Sequence, residues 1–150
     1  MEVCRDWIEA LQLFTEEGIR FLIVGAHARA RYARPRATGD LDLWVEPTAE
    51  NAERVLRALA RFGAPLEGVS RADFEHDDTV FQIGVPPLRI DVLTGISGVT
   101  FDEAWTNRQK GDVGGIAVSF IGREQFLQNK RAAGRPKDLA DIEDVEREAF

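Results

Sequence analysis

Three aspartates lie on segments of this chain where a purely structural strand would carry apolar residues. Asp40 and Asp42 alternate with apolar residues over 40–45, so both carboxylates should project from one face of a strand. Asp91 has the same alternating setting within Leu88–Leu93. Carboxylate clusters are the ligands that Mg²⁺ prefers, usually completed by substrate phosphates. Two such ions can activate an attacking hydroxyl and stabilise a leaving pyrophosphate.

A structural explanation of the same aspartates stays open. An Asp-x-Asp pair at the start of a strand also occurs at solvated edges and in turn caps, and one face of an antiparallel strand can be wet. These carboxylates would then only make a sheet edge soluble.

A phosphate-binding turn could precede the carboxylates. The apolar run Phe21–Val24 ends at Gly25, where a helix can begin and present free backbone N–H groups to an anion. Glycine after a strand is equally common in ordinary turns. Arginine suits bidentate phosphate contacts, and Arg34 and Arg36 are the best candidates because they lie in the loop before the carboxylates. A solvated helix face would explain one or two of the four arginines that fall within eight positions: Arg29, Arg31, Arg34 and Arg36.

Length and charge narrow the classes of function. A chain of 150 residues can bury a core as one domain without disulfide or metal staples. Its net charge of −7 disfavours bulk binding of duplex DNA, whereas a local arginine cluster favours a small anionic ligand. No apolar run is long enough for a membrane span, and the single cysteine, Cys4, favours a reducing cytoplasm.

The patterning predicts an α/β fold, a mixed β-sheet with helices packed on it and C-terminal helices. We expect a single domain, 1–150, with a core at about 19–121 and C-terminal helices at about 122–150. The predicted strands are 21–24, 41–45, 79–85, 88–93 and 116–121, with Pro86–Pro87 as a hairpin turn. The predicted helices run from Val3 to Phe14, from Gly25 to about Tyr32, from Pro47–Thr48 to Phe62, over 101–108, over 123–133 and onward from Pro136.

The spacing of these motifs resembles a known signature. Val24-Gly25-Ala26, thirteen further residues and then Asp40-Leu41-Asp42-Leu43 are similar to the signature of the DNA polymerase β-like nucleotidyltransferase superfamily, and Asp91 matches its third carboxylate. The resemblance implies the nucleotidyltransferase fold and transfer of a nucleoside monophosphate from an NTP to a hydroxyl of RNA, protein or a small molecule. It also implies that the three aspartates are catalytic and hold two Mg²⁺ ions, or Mn²⁺.

The stretch from Gly25 to Asp40 is similar to small bacterial stand-alone nucleotidyltransferase-like proteins. Ala26 stands where the signature has Gly or Ser, so only its backbone N–H is available to a phosphate. The nucleotide-binding residues that these resemblances imply are Gly25, Ala26, Arg34, Arg36, Thr38 and Lys130.

The segment 130–141 resembles a motif of abortive-infection nucleotidyltransferase toxins. This resemblance implies that Lys130 reaches the triphosphate, and it leaves a cognate antitoxin or a second copy of the chain open as partners. Asp138 and Asp141 also suit the first turn of a helix, where the helix dipole stabilises negative charge. The implied supporting residues are Arg135, Lys137, Asp138 and Asp141.

Neither histidine has a partner at zinc-ligand spacing. We expect His27 to be a packing or surface residue and His76 to be exposed. The alternative function is a catalytically degenerate nucleotide-binding module, or a toxin–antitoxin component that acts through protein–protein contacts.

Overall fold

The computed structural model of the protein describes residues 4–85 and 87–148, in which six strands form one mixed sheet. The α/β fold class is therefore confirmed, while the predictions at Val3 and Pro86 concern residues outside these ranges. The division into a core and C-terminal helices stays a prediction. The strands are β1 (Phe21–Val24), β2 (Asp40–Val45), β3 (Val80–Val85), β4 (Leu88–Leu93), β5 (Gln109–Val113) and β6 (Ile116–Phe120).

The strand order β3-β4-β2-β1-β6-β5 puts β2 at the middle of the sheet. It pairs antiparallel with β1 on one side and parallel with β4 on the other. β1 also pairs parallel with β6, and the two outer pairs, β3 with β4 and β5 with β6, are antiparallel. Because β2 and β4 are hydrogen-bonded neighbours, residues that share a register position on them lie side by side.

The helices follow the predicted periodicity, with shifts of a few residues at their ends. α3 begins after Thr48, whose hydroxyl accepts a hydrogen bond from the Asn51 N–H at 3.3 Å, and it ends at Gly63, where φ is +89°. A short 3-10 helix follows at Arg71–Phe74. The α-helices are α1 (Arg5–Glu16), α2 (Gly25–Arg29), α3 (Ala49–Phe62), α4 (Phe101–Thr106), α5 (Arg123–Ala133) and α6 (Pro136–Arg147).

β5 is a strand that the apolar pattern does not predict. Its sequence, Gln-Lys-Gly-Asp-Val, is mostly polar because β5 lies at the edge of the sheet and buries only Val113. The pair Gly114–Gly115, with φ of +57° and +86°, connects it to β6. A Gly-Gly pair of this kind is a typical two-residue hairpin turn, and it was the available signal for this strand.

The central strand β2 has two very different faces. Its apolar side chains are fully buried on one face, and Trp44 on the other face packs edge to face against Phe101, with ring centroids 5.2 Å apart. Asp40 and Asp42 share the face of Trp44, at the beginning of the strand. None of the helices in the described part of the chain combines the length and apolar character that a bilayer crossing requires.

Arg29 ties the last helix to the segment after β1. Its guanidinium is almost fully buried and pairs with Asp141 at 3.0 Å and Asp144 at 2.6 Å, both on α6. A third nitrogen donates to the backbone carbonyl of Arg34 at 2.7 Å. The prediction that some of the clustered arginines are solvated does not hold for Arg29, because its guanidinium is buried against two carboxylates of the distant α6.

Replacing Arg29 should therefore destabilise the protein strongly. We expect Arg29→Met to lower the free energy of unfolding by about 3 kcal/mol, because it leaves the buried Asp141 and the partly exposed Asp144 short of a partner. Arg34→Met is the matched control, since the Arg34 side chain is 93% exposed and should contribute less than about 0.5 kcal/mol. Urea unfolding measures both values, and equal losses for the two variants would contradict this assignment.

Candidate functional site

The parallel pairing of β2 with β4 brings the three predicted carboxylates together. Asp42 lies directly opposite Asp91, and Asp40 lies opposite Arg89. Because β-strand side chains alternate in direction, these four residues project from the same face of the sheet, with neighbouring strands about 4.8 Å apart. Asp40, Asp42 and Asp91 are called the carboxylate cluster below.

Arg89 lies within the carboxylate cluster, and the sequence analysis did not single it out. Its Nε donates to Asp91 Oδ1 at 2.9 Å, and its Nη2 contacts Asp91 Oδ2 at 3.2 Å and Asp40 Oδ2 at 3.3 Å. The two-residue period that places Asp91 on this face also places Arg89 there. The two-residue period could therefore have placed Arg89 on this face. The contact of Arg89 with Asp40, however, depends on which strand lies beside β4.

Asp42 has no cation within ion-pair distance in the described part of the chain. Burial, followed by the negative charges of Asp91 and Asp40, raises the pKa of Asp42 to about 7. The attraction of Arg89 acts in the opposite direction but is weaker than these effects. At neutral pH Asp42 is thus the member of the carboxylate cluster that most needs a proton or an added cation.

Gly25 packs directly against the Asp42 side chain. The register of β1 on β2 places Val24 opposite Asp42, and the chain then turns into α2 with a φ of +70° at Gly25. A Cβ atom on Gly25 would overlap Asp42 Oδ2, so only glycine allows this close approach. Gly25 and Asp42, which are distant in the predicted motif, are therefore in direct contact in the fold. The helix that begins at Gly25, α2, has only five residues.

The carboxylate cluster has the donor chemistry of a divalent metal site but is not arranged as one. In the described ranges, no group of three or more His, Cys, Asp or Glu side chains is placed to hold a metal ion. The Arg89 guanidinium contacts both Asp40 and Asp91. Three carboxylates on one face of the sheet nevertheless supply the hard-oxygen donors that divalent cations such as Mg²⁺ prefer.

Two of the predicted nucleotide-binding cations, Arg36 and Lys130, contact a second set of acidic residues on α6. Arg36 pairs with Asp141 at 3.0 Å, and the Lys130 ammonium is 3.5 Å from both Asp138 and Asp141. Arg135 pairs with Asp138 at 2.6 Å. We call this set the C-terminal ion-pair network; its members are Arg29, Arg36, Lys130, Arg135, Asp138, Asp141 and Asp144.

Asp138, in the C-terminal ion-pair network, is held in its charged form. Hydrogen bonds from the Arg135 side chain lower the pKa of Asp138 to about 2. Asp138 is fully buried and also accepts from the Arg135 backbone N–H at 3.1 Å. The charged side chains that surround Asp138 and Asp141 suit the bracing role implied for them, which stays a prediction.

The remaining predicted residues take less connected positions. The Thr38 hydroxyl accepts from the Asp40 backbone N–H at 3.1 Å and so fixes the entry into β2. Arg34 and Lys137 are exposed, and so is His76. His27 is buried edge to face against Trp7, with ring centroids 4.9 Å apart, and burial lowers its pKa. It is therefore a packing residue.

A methyl group at position 25 should displace Asp42. Gly25→Ala and Gly18→Ala both place a Cβ on a residue with φ near +70°, which costs about 1 kcal/mol, but Gly18 has open space around it. We expect Gly25→Ala to lower the free energy of unfolding by about 1 to 2 kcal/mol more than Gly18→Ala. Urea unfolding of both variants measures this difference, and equal losses would contradict the close packing of Gly25 on Asp42.

The raised pKa of Asp42 predicts a specific pH dependence in metal-free protein. Between about pH 4 and about pH 7 the native state retains a proton that the unfolded chain releases, so stability falls as the pH rises. Asp42→Asn removes this loss and should gain stability relative to wild type as the pH rises through that range.

Urea unfolding in a chelator at several pH values between about 5 and 8 measures this effect. Asp78→Asn is the control, because Asp78 is exposed and lies in the loop before β3. A stability difference between Asp42→Asn and wild type that does not change with pH would contradict the assignment.

A known protein family matches almost the whole chain. A family model described as a nucleotidyl transferase of unknown function, DUF2204, matches residues 3–149. No curated protein sequence matches the chain significantly.

Solved structures share the fold at low sequence identity. A candidate nucleotidyltransferase from Thermotoga maritima gives a TM-score of 0.60 at 12% identity, over 97% of this chain and 92% of its own. The lincosamide antibiotic adenylyltransferase LnuA, solved with lincomycin bound, gives 0.58 at 11% identity over 96% of both chains. An antigenic nucleotidyltransferase-like protein from Paracoccidioides brasiliensis gives 0.54 at 14% identity, over 94% of this chain and 73% of its own.

Proposed function

The chain belongs to the nucleotidyl transferase family DUF2204, and we propose that it moves a nucleoside monophosphate from an NTP to an acceptor hydroxyl with the help of Mg²⁺. The acceptor oxygen forms a bond to the α-phosphorus, the bond from that phosphorus to the β-phosphate oxygen breaks, and pyrophosphate leaves. The observation that carries the proposal is the carboxylate cluster, side by side on β2 and β4 and packed on Gly25.

Asp40, Asp42 and Asp91 are the residues that would hold the metal. Their oxygens are the hard ligands that Mg²⁺ and Mn²⁺ prefer, and the raised pKa of Asp42 reflects a local excess of negative charge. These residues would hold Mg²⁺, which when bound would supply charge neutralisation at the phosphates and a lowered pKa for the attacking hydroxyl.

The other roles follow from position. Asp91 orients the acceptor hydroxyl and accepts its proton, since it lies on β4 beside Asp42. The backbone of Gly25 and Ala26 approaches the phosphates, because the chain turns at Gly25 directly against the Asp42 carboxylate.

Arg36 is the cation best placed to follow the phosphates. It lies four residues before Asp40 and is 57% exposed on its side chain, so its guanidinium can contact a ligand while one nitrogen stays on Asp141. Lys130, which is 15% exposed, positions Asp141 and through it Arg36. Arg34 and Thr38 lie in the same loop before β2 and complete the set of side chains that we propose to contact the phosphates.

A transfer assay tests this function. Each of the four NTPs, labelled at the α-phosphate, is incubated with the protein, Mg²⁺ or Mn²⁺, and separate pools of RNA, protein and small-molecule acceptors. We expect labelled product from wild type and at least about a hundredfold less from Asp42→Asn, because metal ions contribute several kcal/mol to such transition states.

Asp78→Asn carries the same charge change on an exposed loop and should label acceptors like wild type. Equal labelling by wild type and Asp42→Asn would overturn the role of the carboxylate cluster. The pool that becomes labelled identifies the acceptor class.

A nucleotide-binding module without transfer activity is the second candidate. The guanidinium between Asp40 and Asp91 favours it, because a permanent cation there would replace the metal. Calorimetric titration with NTP distinguishes the two. Binding that is independent of Mg²⁺ and gives no turnover would support the module.

A further inference from the structure

Arg89 brings a positive charge to the place where two ligands of the proposed metal site converge. One nitrogen, Nη2, contacts Asp40 Oδ2 at 3.3 Å and Asp91 Oδ2 at 3.2 Å, and Nε contacts the other oxygen of Asp91 at 2.9 Å. The guanidinium therefore joins carboxylates from two different strands. This arrangement is more than a surface ion pair, because the Arg89 side chain is only 25% exposed and Asp91 is buried.

We propose that Arg89 is an internal counterion that holds Asp40 and Asp91 in the metal-free protein, and that a divalent cation must displace it to bind there. The inference rests on the proposed function for the existence of the metal site. It goes further in naming the residue that sets how tightly the metal is held.

The competition follows from geometry. A carboxylate oxygen bound to Mg²⁺ lies about 2.1 Å from the ion, which leaves no room for a guanidinium nitrogen between the same two oxygens. Each cation also repels the other across this short distance. A metal that binds these same two oxygens therefore has to break the bridge from Arg89 to Asp40.

The backbone of Arg89 is fixed, so only its side chain can move away. The Arg89 N–H donates to the Gly39 carbonyl at 2.6 Å, and Gly39 packs so closely on the Pro87 carbonyl that a Cβ there would overlap it. The partly exposed side chain can swing toward solvent while β4 stays in register with β2. The guanidinium can therefore move while the two strands stay fixed.

The counterion also explains how the cluster is tolerated without metal. Asp42 lies opposite Asp91 and two residues after Asp40 on the same face of β2, and both repel it. Arg89 offsets the charge of the two outer carboxylates, so the strands can pair before any ion binds. The same contact that stabilises the metal-free fold should weaken metal affinity.

Direct metal binding tests the proposal without reference to catalysis. Mn²⁺ binding by calorimetry, in the absence of nucleotide, is compared among wild type, Arg89→Met, Arg89→Lys and Asp42→Asn. We expect Arg89→Met to bind Mn²⁺ about tenfold more tightly than wild type, the factor that corresponds to one lost bridge of about 1.4 kcal/mol. Arg89→Lys keeps the charge but not the fork that reaches two carboxylates, so its affinity should lie between them.

Thermal unfolding gives a second readout. In a chelator, Arg89→Met should melt below wild type, and Mn²⁺ should raise its melting temperature by more than it raises that of wild type. If Arg89→Met does not fold without metal, Arg89→Lys carries the test. Arg61→Met is the control, because Arg61 also joins two carboxylates, Glu16 at 2.8 Å and Glu17 at 3.0 Å, but on the outer surface of α1 and α3.

The outcomes separate this inference from the function on which it rests. Mn²⁺ binding that depends on Asp42 but is no tighter in Arg89→Met than in wild type overturns the counterion role and leaves the proposed function standing. Mn²⁺ binding that is absent from every variant, or unchanged in Asp42→Asn, overturns both. Tighter binding in Arg89→Met and unchanged binding in Arg61→Met support the counterion role.

Discussion

Burial of the apolar face of β2 forces two carboxylates, Asp42 and Asp91, to lie side by side on neighbouring parallel strands, where they repel each other. Asp42 and Asp91 share a register position, and neither strand can rotate away, because the opposite face of β2 is fully buried. A slip of one residue would turn every apolar side chain of the strand toward the wrong face. The energy gained by burying the core thus holds the charges together, and Gly25 and Arg89 are local adjustments to that fixed arrangement.

Two acidic groups in the same chain illustrate opposite solutions to burial of charge. Asp138 lies among cations and keeps a pKa of about 2, whereas Asp42 lies among other carboxylates and has a pKa of about 7. The first arrangement lowers the energy of the folded chain, and the second raises it unless a proton or ion arrives. Strain of the second kind is typical of sites that bind or react, because stability alone would not select it.

Sequence reasoning predicted the parts of this fold that depend on local pattern. The period of two over 40–45 indicated the shared face of Asp40 and Asp42, and the caps at Thr48 and Gly63 indicated the ends of α3. Contacts that depend on strand order were out of reach, because no local rule places β4 beside β2. Arg89 shows both cases, since alternation fixes its face but only the sheet order gives it Asp40 as a partner. The edge strand β5 was not predicted, because an edge strand buries little surface and β5 therefore lacks an apolar pattern.

The contact of Arg29 with Asp141 also determines when the molecule can become complete. These residues are 112 positions apart, and Arg36 contacts the same aspartate across 105 positions. During synthesis, the loop that enters β2 emerges long before the helix that secures it. Contacts of such long range form slowly, because a large loop must close first. The arginine-rich loop therefore reaches its final conformation only after α6 has left the ribosome.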